Sequence, residues 1–367
     1  MEQVLTRSRR TLAPWPAAEE WLEATRQLAL RDFWFFVREV VGVGVAEEEP
    51  HGALCRWLQE PTPYGRRLIL MPRGSLKTTI VSQAYVLWRI ARDPNIRVLL
   101  DSEVRTNSKS FARVIRSHIE GNQRFIQLFG ELKREPGWTD DYFTVARTFE
   151  AREPTVMTAG MDQTVVSQHY DLIVADDLVT DKTVTTPEML RKTVEHYRLL
   201  LPLLESPQVN PDVELVLVGT RWDDADLYGY VLRESGMEPF EAVQQLLEQG
   251  GVGQIGDWSV FYRRCYREDG RPLCSMYTEE GLRKIRERLG EYHFAAQYLN
   301  DPVPVESATF RREWFRYWTP PLPQDLRVYM AVDPAISVRK HGDYSAAVVV
   351  GVDQGGKRYV LHAWRAR

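Results

Sequence analysis

Lys77, Thr78 and Thr79 are the residues whose types and spacing best suit chemistry. They follow the apolar run Leu68–Met71 and a short turn, Pro72, Arg73, Gly74, Ser75 and Leu76. Ile80, Ala84, Leu87, Trp88 and Ala91 then recur at helical spacing. A strand, a tight loop and a Lys-Thr pair opening a helix can hold phosphate. The helix N-terminal N–H groups meet its oxygens, the lysine reaches β- and γ-phosphates, and the Thr78 hydroxyl can ligate Mg2+. The general pattern is G-x-x-x-x-G-K-[ST]. Met71 and Leu76 stand at its two glycine positions here. Alone, the segment fits an ordinary strand-to-helix connection equally well.

A second group is Tyr170–Asp177, an apolar strand ending in two acids. Beside a phosphate loop, Asp176 would hold Mg2+ and Asp177 would orient the attacking water; a strand end capped by acids has the same sequence. A third is Leu217–Asp224, where a strand ends in Gly219, Thr220 and Arg221. Thr220 there could sense a terminal phosphate and relay it to Arg221, or the segment could be a structural turn. The fourth pairs Ala331–Ala335 with Gly342–Ala346. Asp333 at a strand end, followed by a β-meander and Asp343, suits the start of a two-metal nuclease, which needs several carboxylates. Turn-capping aspartates suit those residues as well.

The elements that must position these groups alternate. Strands are predicted at Leu68–Met71, Arg97–Leu100, Thr155–Thr158, Asp171–Ala175 and Glu214–Val218. Helices are predicted at Thr78–Ala91, Thr106–Glu120, Pro187–Leu200 and Ala225–Arg233. Repeated strand-then-helix units imply an α/β fold with a mostly parallel sheet flanked by helices, and ligands at the carboxyl ends of its strands. Two helices precede them, over Trp21–Val43 and from Pro50 to about Pro61. After Gly250–Gly253 the texture changes to a strand at Trp258–Tyr266 and a charged helix at Thr278–Leu289. Breakers at Asn300–Pro304 and Thr319–Pro323 lead to three strands, Arg327–Val332, Tyr344–Val352 and Lys357–Trp364.

The 367 residues, 44% hydrophobic and 27% charged, suit a globular protein of two domains. No apolar run reaches the roughly 18 residues of a membrane span. The three cysteines, Cys55, Cys265 and Cys274, form no disulfide framework, which suits a reducing compartment. A net charge of −4 argues against a surface that coats DNA. Contact with DNA, if made, is local.

Taken in order, Pro72–Thr79, Tyr170–Asp177, Val218–Trp222, Ala296–Pro302 and Val332–Ala335 with Gly342–Ala346 resemble the large terminase subunit of tailed bacteriophages over roughly residues 50 to 350. The resemblance implies a P-loop NTPase followed by the first β-meander of a ribonuclease H-like domain. The expected segments are an N-terminal helical stretch (1–60), the ATPase (61–300), a linker (301–325) and an incomplete nuclease (326–367). It implies an ATP-driven motor that moves double-stranded DNA into a procapsid as a homo-oligomeric ring on the portal protein, with a small terminase subunit, in the host bacterial cytoplasm.

By motif, the resemblance puts Arg73, Gly74, Ser75, Leu76, Lys77, Thr78 and Thr79 at ATP, and Thr78 and Asp176 at Mg2+. Asp177 would be at the water and Thr220 at the coupling step. Asp333, with Asp343, would be at the Mg2+ or Mn2+ of the nuclease. It also implies a C-terminally truncated member that does not itself cut DNA, since later strands would supply the remaining carboxylates. Some relatives carry a Gly-Arg pair before the second motif, where this chain has Ser167-Gln168; if that arginine acts across the ring on a neighbour's ATP, Arg147 or Arg152 would take its place here. The alternative expectation is a non-catalytic nucleotide-binding remnant or packaging scaffold of a decayed prophage.

Overall fold

The computed structural model describes residues 13–16, 18–163, 168–302, 316–318, 321–334 and 345–366. The chain divides into two compact units, Met1–Ser307 and Ala308–Arg367.

The first unit is built on a sheet of nine strands. They are β1 (Arg66–Leu70), β2 (Val98–Ser102), β3 (Lys133–Trp138), β4 (Tyr142–Val145), β5 (Val156–Thr158), β6 (Leu172–Asp176), β7 (Glu214–Gly219), β8 (Val252–Ile255) and β9 (Trp258–Tyr262). Their order is β3-β4-β5-β2-β6-β7-β1-β9-β8. The six strands from β5 to β9 in that order are parallel; β3, β4 and β8 add antiparallel edges.

Alternation along each strand builds two cores. Ile69, Val98, Leu100, Leu172 and Val174 face one layer, while Leu68, Leu70, Leu99, Ile173 and Ala175 face the other. Each of these leucines, isoleucines and valines contributes about 1.5–3 kcal/mol through burial.

Helices cover both layers. They are α1 (Glu19–Arg31), α2 (Ala53–Gln59), α3 (Val86–Arg92), α4 (Arg105–Gly121), α5 (Gln123–Phe129), α6 (Pro187–Leu200), α7 (Leu227–Arg233), α8 (Pro239–Glu248) and α9 (Glu279–Phe294). Helix α3 continues without a break from a wider π-type turn, Thr79–Tyr85. The N-terminal helical residues share the first core: Phe33 packs against Tyr85 and Trp88, with ring centroids 5.5 and 5.1 Å apart, and Trp88 Nε1 donates to the Ala29 carbonyl at 2.9 Å. A smaller cluster, Cys265, Leu273, Cys274, Tyr277, Leu282, Phe294 and Tyr298, gathers α9 and the turn Ala295–Leu299 into a satellite of the sheet.

The predicted α/β alternation is present. Strands β3, β4 and β8 and helices α5 and α8 are additions to it. β3 is an exposed edge containing Pro136 and Gly137, two residues that weaken strand propensity; only its pairing with β4 makes it a strand. The expected strand to Tyr266 ends at Tyr262, where Arg263 N–H turns to the Leu70 carbonyl.

The second unit is an antiparallel meander, β10 (Arg327–Asp333), β11 (Ser345–Val352) and β12 (Arg358–Ala366), in that spatial order. The β11–β12 turn is closed by Asp353, whose Oδ1 accepts from the N–H groups of Gly355 and Lys357, both at 2.9 Å.

Candidate nucleotide-binding site

Strand register brings the chemically able residues to one edge. Ser102 pairs with Asp176, Asp176 with Val218, and Leu70 with Gly219, so the carboxyl ends of β2, β6, β7 and β1 finish together. The loops that leave those ends carry Arg73–Thr78, Asp177 and Thr220. Open parallel sheets bind ligands at this edge.

The loop after β1 makes its turn with two left-handed residues, Gly74 (φ 85°) and Leu76 (φ 60°). Leu76 stands where phosphate loops place glycine and adopts a conformation glycine adopts freely, at a cost of about 1–2 kcal/mol for an L side chain. Backbone strain of this kind is held only where the surroundings over-determine it. The loop is fixed at several points. Met71 N–H donates to the Gly219 carbonyl at 3.2 Å and Ser75 N–H to Pro72 at 3.3 Å. Arg73 donates from its backbone N–H and from Nη1 to Gln297 O and Oε1, both at 2.8 Å, and its carbonyl accepts from Tyr277 Oη at 2.9 Å.

Lys77 is buried, with Nζ 3.6 Å from Asp177 Oδ1. Asp176 is buried behind it and accepts from Ser82 Oγ at 2.5 Å. Burial pushes the Asp176 carboxyl up to about 7 and the Asp177 charge adds to the effect; Lys77 and the hydroxyls of Ser82 and Thr78 oppose it. Asp176 Oδ1 is buried and has no hydrogen-bond partner among the described residues. A carboxylate oxygen in that state, with the Thr78 hydroxyl nearby, suits a divalent cation that completes its shell with water and phosphate. Asp177 also has a left-handed backbone, φ 50°, and its N–H bonds to the Val218 carbonyl at 2.8 Å. This twist turns its half-exposed side chain out of the strand line toward Lys77.

At the end of β7, Gly219 has no alternative: a Cβ there would lie 2.0 Å from Tyr228 Oη, which donates to the Val218 carbonyl. Thr220 is buried at the cavity wall. Arg221, to which Thr220 was expected to relay, follows it in the chain. It is buried, with Nε 3.6 Å from Asp226, and its Nη2 donates to the Asp223 carbonyl at 3.2 Å. Asp226 Oδ2 in turn accepts from Trp222 N–H at 2.9 Å, and Oδ1 from Gly229 N–H at 2.7 Å, capping α7.

Arg73, Lys77, Asp177 and Thr220 line one cavity of ≈ 400 Å³. Its other walls include Asn107, His293 and Gln297, to which sequence reasoning gave no role. The Ala296–Pro302 motif was the available signal for Gln297; nothing in the sequence marked Asn107 or His293. The cavity joins Gly74, Leu76, Thr78 and Thr79 only through their shared loop; the Ser75 side chain points into the protein and is buried.

Other residues singled out from the sequence lie outside this cavity. Arg147 donates to Thr155 Oγ1 at 3.2 Å and to the Glu153 carbonyl at 2.7 Å, at the amino ends of β5 and β2, the sheet edge opposite the loop. Arg152 belongs to the same connection. Arg105 and Lys109 pair with Asp141 at 2.8 and 2.7 Å. Asp333 is the exposed last residue of β10, opposite Ala346; Asp343 lies outside the described residues. Among the described residues no cluster of three or more His, Cys, Asp or Glu groups could hold a metal, and no helix is long and apolar enough to cross a membrane.

No family model matches the chain. A curated relative, the large terminase subunit of Enterobacteria phage T3, is 24% identical over 223 residues, 59% of this chain and 34% of that protein. The chain thus spans about a third of the length of the curated relative it matches. Among solved structures, the large terminase ATPase domain of Thermus phage P74-26 aligns with 74% of this chain and 98% of its own at 13% identity and a TM-score of 0.45. The large terminase of bacteriophage HK97 aligns with 82% of this chain and 59% of its own at 12% identity and a TM-score of 0.38. The sequence match and the order of the motifs, with a mostly parallel α/β sheet placing the first of them at one edge, make this chain a relative of the large terminase subunits of bacteriophages.

Proposed function

We propose that the first unit is a Mg2+-dependent ATPase that drives double-stranded DNA into a procapsid. The observation that carries this reading is the meeting of Lys77, Asp176 and Asp177 beside a strained phosphate loop in a relative of large terminases. The loop N–H groups and Lys77 would hold the β- and γ-phosphates, with Arg73 at their rim. Thr78 and Asp176 would hold Mg2+, which spreads the negative charge of the phosphates when bound. Asp177 would exchange its contact with Lys77 for the attacking water, orienting it and accepting its proton. Thr220, at the end of β7 on the same wall, would pass the change in phosphate to the Trp222 turn.

The partners proposed with this activity are double-stranded DNA, a portal protein, a small terminase subunit and further copies of this chain in a ring, in the host cytoplasm. The meander at Asp333 is proposed as the opening of a nuclease whose remaining carboxylates are not among the described residues. Alone, this chain is expected not to cut DNA; Mn2+-dependent nicking that disappears in Asp333→Ala would overturn that.

The deciding measurement is steady-state ATP hydrolysis with and without linear double-stranded DNA. The reading requires turnover that depends on Mg2+ and is lost in Lys77→Ala. Tight ATP binding without turnover, with DNA and portal added, would instead identify a non-catalytic remnant.

A further inference from the structure

One short segment touches both loops of the cavity. Tyr292 Oη donates to the Trp222 carbonyl at 2.8 Å. Gln297 takes both hydrogen bonds from Arg73, and Asn300 Oδ1 accepts from Arg221 N–H at 3.2 Å. Between them, His293 packs edge-on against Trp222, with centroids 5.8 Å apart and planes at 73°, and against Tyr292 at 5.3 Å. Its ring is thereby oriented by two aromatic neighbours while it lines the cavity with Lys77, Asp177 and Thr220.

Two other polar groups on that wall are committed. Gln297 Oε1 holds Arg73, and the Asn107 amide donates to Ser102 Oγ at 3.4 Å. His293 makes no hydrogen bond among the described residues. The wall's cations, Arg73 and Lys77, are balanced by Asp177 and Asp181, so a polyphosphate gains from any further donor. An imidazole offers one N–H when neutral and two when protonated, so in either form it can donate to a phosphate oxygen.

We propose that His293 donates a hydrogen bond to the terminal phosphate of bound ATP, so that the 292–300 segment distinguishes a nucleoside triphosphate from a diphosphate. This rests on the ATPase reading above and deepens it: the segment that grips Arg73 and the Trp222 turn would itself be fastened by the phosphate that hydrolysis removes. His293 is a binding residue in this scheme, contributed by the chain to its own site, unlike an arginine reaching across a ring.

The test is calorimetric titration of the full chain with ATPγS and with ADP, each with Mg2+, for the wild type, His293→Ala, His293→Arg and Lys77→Ala. His293→Ala is expected to weaken ATPγS about tenfold and to leave ADP unchanged, and His293→Arg to restore ATPγS. Retained ADP affinity also reports an intact fold. If His293→Ala loses both ligands through misfolding, His293→Gln carries the same comparison. Equal effects on both nucleotides, or none, overturn the proposal. The ATPase reading fails separately, and the proposal with it, if the wild type binds neither nucleotide or if Lys77→Ala binds both normally.

Discussion

The ammonium of Lys77 lies 3.6 Å from Oδ1 of Asp177, and both sit beside the buried Asp176 at the carboxyl edge of the sheet. Lys77 is buried, whereas the Asp177 side chain is 41% exposed, so the acid is the partner free to swing. Lys77→Ala should reduce ATP turnover by about 10²–10³, the usual loss when one preorganised donor to a reacting phosphate or oxyanion is removed. Asp177→Asn should bind ATP normally yet lose about 10²–10⁴ in rate, the range for general base catalysis. Nucleotide affinity and turnover measured on the same preparations separate the two; wild-type rates in both variants would refute the assignment.

Leu76 holds φ 60° within the phosphate loop while packing against the first core. Leu76→Ile keeps the volume and adds a branched Cβ where the backbone is already crowded. It should cost about 1–2 kcal/mol more than Leu76→Gly, which relieves the strain but gives up apolar contact. Urea denaturation of both variants checks the order. Leu76→Ile as stable as Leu76→Gly would show that the loop is not strained at this residue.

Glu214 opens β7 at the opposite edge and is buried among three donors. It accepts from Arg67 Nε at 2.9 Å, Arg89 Nη1 at 2.7 Å and Tyr85 Oη at 2.5 Å. Arg67 itself is stacked over Trp57 at 4.8 Å and buried. Glu214→Ala strands two guanidinium groups away from water, and should cost about 3–5 kcal/mol. Glu214→Gln keeps an acceptor and should cost less. Thermal unfolding of the two variants would reveal an equal, small effect if the cluster were merely solvated charge.

His118, on α4, is half-buried, and loss of solvation pulls its imidazole down to about 4. A base whose folded value lies below its unfolded value binds its proton more readily when unfolded. The stability it contributes is therefore present above about pH 6.5 and is lost as the pH falls toward 4, up to about 3 kcal/mol. Denaturant midpoints should fall over that window and flatten in His118→Gln. An unchanged slope in the variant would assign the acid sensitivity to other groups.

The legible parts of this molecule were those in which a local pattern carries a physical requirement. Apolar runs such as Leu68–Met71 and Asp171–Ala175 must be buried strands, and their alternation with amphipathic helices implies a mostly parallel α/β sheet. Lys77, Asp176 and Asp177 announced themselves as strand-end polar groups. The edge strand β3, with Pro136 and Gly137, gave no such signal because its pairing partner supplies the order.

What the amino-acid order determined by itself was therefore the run of central parallel strands and the polar residues Lys77, Asp176 and Asp177 that follow or end them. Only the tertiary structure decided that Leu76 takes the glycine conformation, that Arg147 stands at the far edge of the sheet, and that Gln297 and His293 close the cavity. Backbone dihedrals at a tight loop, and contacts between residues more than two hundred positions apart such as Arg73 and Gln297, are set by packing. No local spacing encodes them, since the cost of closing so long a loop is repaid only by the contacts of the folded core.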